Sequence, residues 1–389
     1  MPTLRTALRP LALVLAVAAA ASTAAATAAP PAHADDALQR RVVGELKGWT
    51  DWLARNNVKG YIGEVGWPDN ARGDAAAWNA LAERWYQAAD TAGLWVTAWA
   101  TGEWWGTSYP LAAFEDRLAP VGVETANSQA PVIEAHPTVG GTWRGINVAG
   151  GEFGTPVDQP TSAFSNANPG VYDRDYHYDS AASFKYLKSQ GIGVVRLPIR
   201  WERLQPTPSQ SLNQVELQRV KDAVARAGAA GLQVILDIHN YGAYYLYDGR
   251  QGVRRPIGSP QVPVSAFADL WRRLSIHFKD DPAVIAYGLM NEPVGLGATA
   301  TATPAQVWER ASQAAVDAIR GTGDQTFVRV GGYLWSGVTS FAQQHPRAWI
   351  RDPLGYVRYE AHDYFDRDHS GTYAHTYAEE VADAAARGF

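Results

Sequence analysis

Two glutamates occupy positions from which a pair of carboxyl groups could act on one bond. Glu292 lies in the tetrapeptide Met290–Pro293, directly after an apolar run that ends at Leu289, and Glu64 closes the short apolar run Tyr61–Gly63. Cleavage of a glycosidic bond passes through an oxocarbenium-like state and typically uses two such groups. Either glutamate alone fits an ordinary exposed charge, but the pair, each at the end of an apolar run, predicts a hydrolytic site.

Alternating helical and extended segments must position this pair. Helical spacing of apolar residues, as at Leu217, Val220 and Val224, alternates along the chain with short apolar runs. Helices between such runs favour parallel strands, because each helix returns the chain to the same edge of the sheet. No glycine-rich phosphate loop opens a helix, so we predict a closed (β/α)₈ TIM barrel. Its predicted strands include residues 60–63, 94–99, 144–148, 194–198, 233–237, 284–289, 327–330 and 356–359.

Composition excludes several other classes of protein. The 389 residues carry a formal net charge of −5, which disfavours binding to nucleic acid. No basic amphipathic helix predicts membrane binding, and no cysteine is present for disulfides, thiolate zinc sites or thiol nucleophiles. The length fits a single barrel with long loops. We expect no cofactor, no metal requirement and a monomer.

The first residues predict an export signal. Arg5 and Arg9 precede the apolar, alanine-rich segment Leu11–Ala29, and Ala32–Ala34 has the A-x-A form of a cleavage site. We therefore expect a secreted protein whose mature chain, residues 35–389, is one catalytic domain. An uncleaved membrane anchor is the alternative interpretation.

Seven motifs near strand ends carry a family resemblance. They are Arg144–Gly150, Val194–Pro198, Leu236–Tyr241, Asn291–Pro293, His362–Tyr364, Gly63–Gly66 and Trp99–Gly106. In this order they resemble the first, second, third, fourth, sixth, seventh and eighth strands of glycoside hydrolase family 5, the family of many bacterial and fungal endoglucanases. The resemblance covers nearly all of the chain after residue 34 and implies the same barrel fold.

The order of these motifs implies a circular permutation. The family's seventh and eighth strands come first here, so residues 107–141 would be a linker that joins the original termini. A closed barrel tolerates this change, because domain termini usually lie near each other on the surface. A degraded or chimaeric chain is the alternative.

The resemblance also implies the catalytic roles. Glu292 would be the acid/base and Glu64 the nucleophile, with Arg196 at the family's active-site arginine. Tyr364 would donate a hydrogen bond to Glu64, and His362 would lie near the acid/base. Glu292 must hold a proton at rest, so burial or the nearby Glu64 charge should raise its pKa.

Further residues are expected to contact the sugar. Asn291 would contact its 2-hydroxyl group, and His239 and Asn240 would line the subsite of the cleaved sugar. Trp99 would form the floor of that subsite, and Trp335 a platform one or two sugars away.

Two alternative roles remain open for the residues that follow Trp99. Trp104 and Trp105 are expected to bind substrate or to pack the rim of the barrel. Glu103 could contact substrate or remain a solvated charge, while Glu152 and Glu360 are expected to be structural.

The expected activity is that of a retaining endo-β-glycanase on β-1,4-glucan, with its carboxyl groups about 5–5.5 Å apart. The alternatives are a β-mannanase, an exo-acting β-glycosidase on the same scaffold, and a non-catalytic carbohydrate-binding barrel.

Overall fold

A computed structural model of the chain describes residues 36–117, 122–154 and 164–389. The expected export signal, residues 1–34, lies outside the described residues. Within them, eight parallel strands close into one barrel. The strands are β1 Gly60–Gly66, β2 Trp95–Thr101, β3 Arg144–Val148, β4 Val194–Ile199, β5 Gln233–Ile238, β6 Val284–Gly288, β7 Phe327–Gly331 and β8 Val357–Tyr364.

Helices surround the barrel and connect most of its strands. The longer ones in the described residues are α1 Ala37–Arg55, α2 Ala75–Thr91, α3 Ala181–Ser189, α4 Gln214–Ala229, α5 Val264–Phe278, α6 Pro304–Arg320, α7 Val338–Gln344 and α8 Tyr377–Ala386. Short helices cover Glu103–Trp105, Ala130–Ala135 and Trp201–Leu204. Two small hairpins pair Phe114–Glu115 with Thr125–Ala126 and Ala243–Tyr247 with Gly252–Pro256.

Helix α6 illustrates why these segments fold as they do. Val307, Ala311, Ala315 and Ile319 lie at four-residue spacing and are all buried, so one face of the helix packs on the barrel. Thr303 caps its first turn in a reciprocal capping box that satisfies free backbone N–H groups. Among the described residues, no helix is both long enough and apolar enough to cross a bilayer.

The strands follow chain order around the barrel. Strand β1 pairs with β8 on one side and with β2 on the other, and β2 pairs with β3. The prediction of a closed eight-stranded parallel barrel is therefore confirmed. The strand predicted at residues 356–359 extends to Tyr364, and the one predicted at 60–63 extends to Gly66. These extensions bring Glu64 opposite His362 in the register of two paired strands.

The interior of the barrel has an apolar layer and a charged layer. Tyr61, Trp95, Val194, Ile235 and Ala286 form one buried cluster. Toward the carboxyl ends of the strands, the buried side chains include charged ones, among them Arg196. Gly63 makes room for them, since a Cβ atom at this position would lie 2.2 Å from the Glu360 carboxylate.

Candidate active site

Glu64 is a buried carboxylate near the end of β1. Its Oε1 atom accepts a hydrogen bond from Arg196 at 3.0 Å, and its Oε2 atom accepts one from the hydroxyl of Tyr364 at 2.7 Å. Only 3% of the residue is exposed. The two donors fix the orientation of the Glu64 carboxyl group, which suits a nucleophile.

Glu292 faces Glu64 from the loop after β6. Its backbone adopts a φ angle of 43°, a left-handed conformation that is uncommon outside glycine. Burial and the Glu64 charge raise the pKa of Glu292, while the hydrogen bond to His362 opposes this rise in part. A carboxyl group with a raised pKa beside an ionised one is the arrangement that pairs a general acid with a nucleophile.

His362 lies between the two glutamates. Its Nδ1 atom is 2.8 Å from Glu292 Oε1 and 3.5 Å from Glu64 Oε2, and its Nε2 atom is 3.2 Å from Glu360 Oε1. Burial by itself would lower the pKa of His362, but the surrounding carboxylates raise it to about 10. The imidazolium therefore donates to Glu292 Oε1, which leaves the other oxygen of Glu292 to carry the proton for a leaving group.

Arg196 connects the charged groups behind the site. The guanidinium is completely buried and donates to Glu64, Asn291 and Glu360 at 2.8–3.0 Å. It also lies 2.9 Å from Asp237. Burial would lower the pKa of Arg196, but Asp237, Glu360 and Glu64 hold it well above the usual value. Arg196 therefore lies against three buried carboxylates, two of which also contact the His362 imidazolium.

A chain of hydrogen bonds fixes the side chain of Asn291. Its Oδ1 atom accepts from Arg196, and its Nδ2 atom lies 3.0 Å from His239 Nε2. Burial lowers the pKa of His239 well below its usual value, so the ring is neutral. Its Nδ1 atom is 2.9 Å from Asp237 Oδ2 and donates there, which makes Nε2 the acceptor from Asn291. The orientation of the Asn291 amide is thus determined by both neighbours.

A cavity of about 580 Å³ opens above these groups. Among the expected site residues, its walls include Glu64, Glu292, His239, His362, Tyr364, Trp99 and Trp335. The ring of Trp99 stacks on His239 with centroids 5.9 Å apart. Trp335 follows β7 in a run of three left-handed residues, with φ angles of 72°, 61° and 53° at positions 334–336. Such strain at a cavity wall is typical of functional sites.

Asn240 is placed differently from the expectation. The residue is 1% exposed, and its amide nitrogen donates to Glu202 while its oxygen accepts from the backbone of Trp201. It does not line the cavity. His239 and Asn240 both follow the end of β5, and the contacts of Asn240 with Glu202 and Trp201 direct its side chain away from the cavity that His239 lines. We correct its role to a structural one.

Trp104 and Trp105 also lie outside the cavity wall. Trp104 is 36% exposed and stacks on His177 at 5.2 Å, while Trp105 stacks on Tyr109 at 3.8 Å. Neither ring lines this cavity, so contact of Trp104 or Trp105 with substrate stays a prediction. Glu103 is neither solvated nor in the cavity. Although burial opposes the effect, hydrogen bonds from His177, Ser180 and Ser183 lower its pKa to about 2.

The sequence interpretation missed several functional residues. Glu360 was expected to be structural, yet it accepts from Arg196 and contacts His362. Asp237 and Asn147, which accepts from Arg196 at 2.8 Å, were not singled out. Strand alternation could have found two of them, because Glu360 and Asp237 each precede a site histidine by two positions and so share its face.

Three groups of described side chains bring possible metal ligands within 4.8 Å of one another. They are Glu64, Glu292 and His362; Glu103, His177 and Asp179; and Glu45, Asp363 and His369. In the first group, protons on both nitrogens of His362 occupy the positions that a metal would need. The expectation that catalysis requires no metal remains a prediction.

Two curated endoglucanases are similar to this chain in sequence. The chain is 28% identical over 238 residues to "Endoglucanase gh5-1" of Neurospora crassa, covering 59% of this chain and 52% of that protein. It is 27% identical over 261 residues to "Manganese dependent endoglucanase Eg5A" of Phanerodontia chrysosporium, covering 65% and 61%. The aligned part therefore spans a little over half the length of these relatives.

Solved structures and a family model extend the comparison. The endoglucanase Cel5A of Pseudomonas stutzeri, in complex with cellobiose, is 36% identical with a TM-score of 0.50, covering 59% of this chain and 62% of that chain. The sequence model of the cellulase family, glycosyl hydrolase family 5, matches residues 146–388. This is more than half of the 389 residues. The chain therefore belongs to glycosyl hydrolase family 5, the cellulase family.

Proposed function

We propose that this chain is a retaining endo-β-1,4-glucanase in which Glu64 is the nucleophile and Glu292 the acid/base. The observation that carries the proposal is the approach of the two carboxyl groups: one oxygen of Glu64 and one oxygen of Glu292 lie within 4.8 Å of each other, and both residues line the cavity. Retaining enzymes hold such groups about 5–5.5 Å apart, and inverting enzymes about 6.5–9.5 Å. The endoglucanase names of the relatives support the choice of glucan.

The first chemical step forms a covalent intermediate. The Glu64 carboxylate attacks the anomeric carbon while Glu292 donates its proton to the glycosidic oxygen, so the bond to the leaving sugar breaks. The raised pKa of Glu292 favours the protonated form that this step needs. Arg196 and Tyr364 keep Glu64 oriented during the attack.

The second step releases the sugar. Glu292, now a carboxylate, takes a proton from water, and the resulting hydroxide attacks the anomeric carbon. The ester bond to Glu64 breaks, and the product has the same anomeric configuration as the substrate. His362 donates to Glu292 in both steps and so stabilises its carboxylate form after the first.

We further propose that the order of the barrel strands in this chain is circularly permuted relative to the family. The family match begins at residue 146, within β3, and leaves out β1 and β2, which carry Glu64 and Trp99. These two strands lie between β8 and β3 in the barrel, where the family's last two strands would close it. Residues 107–141 would then join the family's original termini.

We also propose that the chain is exported and that its catalysis is independent of metal ions. Cleavage near Ala34 would release the mature enzyme, and N-terminal sequencing of secreted protein tests this step.

Catalysis should need no metal, since the proposed steps use only side chains. Incubation with EDTA should leave the rate unchanged, and restoration of a lost rate by Mn²⁺ would contradict this part.

Alanine variants with azide test the two roles separately. The substrate is 2,4-dinitrophenyl β-cellobioside, whose leaving group needs no protonation. E292A should form the glycosyl intermediate and release it to azide as a β-cellobiosyl azide. E64A lacks the nucleophile, so azide should attack directly and give the α-azide. The two anomers are distinguished by proton NMR.

A matched control is the exposed Glu134 in a surface helix. E134A should hydrolyse the substrate at the wild-type rate without forming azide product. Release of the same azide anomer from both active-site variants, or wild-type rates in either, would contradict the proposed roles.

The mode of attack is tested on carboxymethyl-cellulose. A fall in the viscosity of its solution ahead of reducing-sugar release would support endo action, and cellobiose as the sole early product would contradict it.

A further inference from the structure

Tyr109 is an active-site residue that lies in the connection between β2 and β3. It is half-buried and forms part of the cavity wall with Glu64 and Trp99. Its segment would belong to the linker of the proposed permutation. None of the roles described above uses this tyrosine.

Backbone hydrogen bonds fix the position of the segment. After Tyr109, the chain runs beside the end of β2, where Ala100 donates to Leu111 and accepts from Ala113 at 2.9–3.0 Å. The carbonyl of Pro110 accepts from Asp69 in the loop after β1 at 2.8 Å. Tyr109 is therefore held between the ends of the strands that carry Glu64 and Trp99.

The side chain of Tyr109 makes two specific contacts. Its hydroxyl oxygen accepts a hydrogen bond from the indole nitrogen of Trp99 at 2.7 Å. Its ring stacks on Trp105, with centroids 3.8 Å apart and planes 11° from parallel. Trp105 packs in turn on Phe153 at 4.7 Å. The tyrosine is thus fixed from behind and in turn fixes Trp99.

The hydroxyl group of Tyr109 retains a donor for a ligand. In residues 36–117, 122–154 and 164–389, no acceptor receives its hydrogen. Burial and the charge of Glu64 raise the pKa of Tyr109 above its usual value, so the hydrogen stays in place. A hydroxyl at a cavity wall that already accepts one bond can donate its own hydrogen to a sugar hydroxyl.

We propose that Tyr109 positions the sugar that lies on Trp99, by holding the indole ring and by donating a hydrogen bond to a sugar hydroxyl group. This inference rests on the proposed function, because it takes the sugar to be part of a glucan chain. The linker segment is then part of the substrate site as well as a connection.

The variant Y109F tests this role, because it keeps the stacked ring and removes only the hydroxyl. Loss of one hydrogen bond to substrate should lower kcat/KM on cellotetraose by about tenfold. The indole N–H resonance of Trp99, assigned with W99F, should shift in free Y109F. The control is Y247F, at the end of a hairpin and 46% exposed, which should match the wild type in both measurements.

Binding without turnover separates this inference from the proposed function. Titration calorimetry of cellopentaose with E64Q and with E64Q/Y109F should give a Kd about tenfold higher for the double variant. If the wild-type chain fails to hydrolyse glucan, the proposed function is wrong and the calorimetric comparison still applies. Binding within about twofold of E64Q, or an unchanged Trp99 resonance, would overturn the role of Tyr109.

Discussion

Replacement of Arg196 with methionine should destabilise the fold strongly at neutral pH. The guanidinium is fully buried and lies 2.9–3.0 Å from oxygens of Glu64, Glu360 and Asp237. Methionine fills similar space but removes the guanidinium from three buried carboxylates, of which Glu64 and Glu360 still contact the His362 imidazolium. Removal of one partner from a buried ion pair typically costs about 3–5 kcal/mol. The three contacts share one cation and are not additive, so we expect a loss in this range at pH 7.

The pH dependence follows from the pKa of Asp237. Burial raises this pKa from 3.8 to about 7, although Arg196 opposes the rise. Without Arg196 the pKa of Asp237 should rise further. A carboxyl group whose pKa is raised by folding destabilises the protein as the pH increases above its unfolded value. The stability difference between wild type and R196M should therefore be small near pH 4 and grow toward neutral pH.

Urea unfolding followed by circular dichroism at several pH values measures this difference. The control is R174M, which removes an exposed arginine paired with Asp175. Exposed pairs contribute little, so this variant should unfold like the wild type at every pH. A free energy of unfolding for R196M within about 1 kcal/mol of the wild type at pH 7 would refute the reasoning. So would a difference that widens on acidification.

Two further variants test the neighbouring groups. In H362Q, Glu292 loses the imidazolium whose charge helps to lower its pKa, so the alkaline limb of the kcat/KM profile should move to higher pH while the rate falls. An unmoved limb would contradict the role of His362. W335A removes an aromatic ring from the cavity wall and should raise KM several-fold for cello-oligosaccharides while kcat stays within about twofold. A kcat loss as large as the KM increase would contradict a binding role.

The barrel could be predicted from sequence because its signals are local. Apolar runs alternate with amphipathic helices, and only parallel pairing satisfies both. The end of β8 was predicted too early, since Glu360, His362 and Tyr364 are polar and look like loop residues. They belong to the strand because partners inside the barrel satisfy them: Arg196 donates to Glu360, and Tyr364 donates to Glu64. His362 contacts Glu292. Arg196, Glu64 and Glu292 come from segments that are distant in the sequence.

The same reason explains which site residues could be predicted from sequence and which could not. Glu64 and Glu292 could be selected from sequence because each combines a catalytic side chain with a strand end. Asn240 was misplaced because it is adjacent to His239 in sequence, whereas its side chain bonds to Glu202 and Trp201 outside the cavity. Tyr109 carries no sequence signal of its own. Its place depends on the Trp99 indole and on hydrogen bonds that the folded connection makes.

Trapping of the covalent intermediate tests the central claim most directly. A 2-deoxy-2-fluoro-β-cellobiosyl substrate with a dinitrophenyl leaving group slows the second step, so the glycosyl ester accumulates. After tryptic digestion, tandem mass spectrometry should locate the added sugar on Glu64, within the peptide of residues 60–72. A label on Glu292, in the peptide of residues 280–310, or the absence of any labelled peptide while the substrate is consumed, would contradict the assignment.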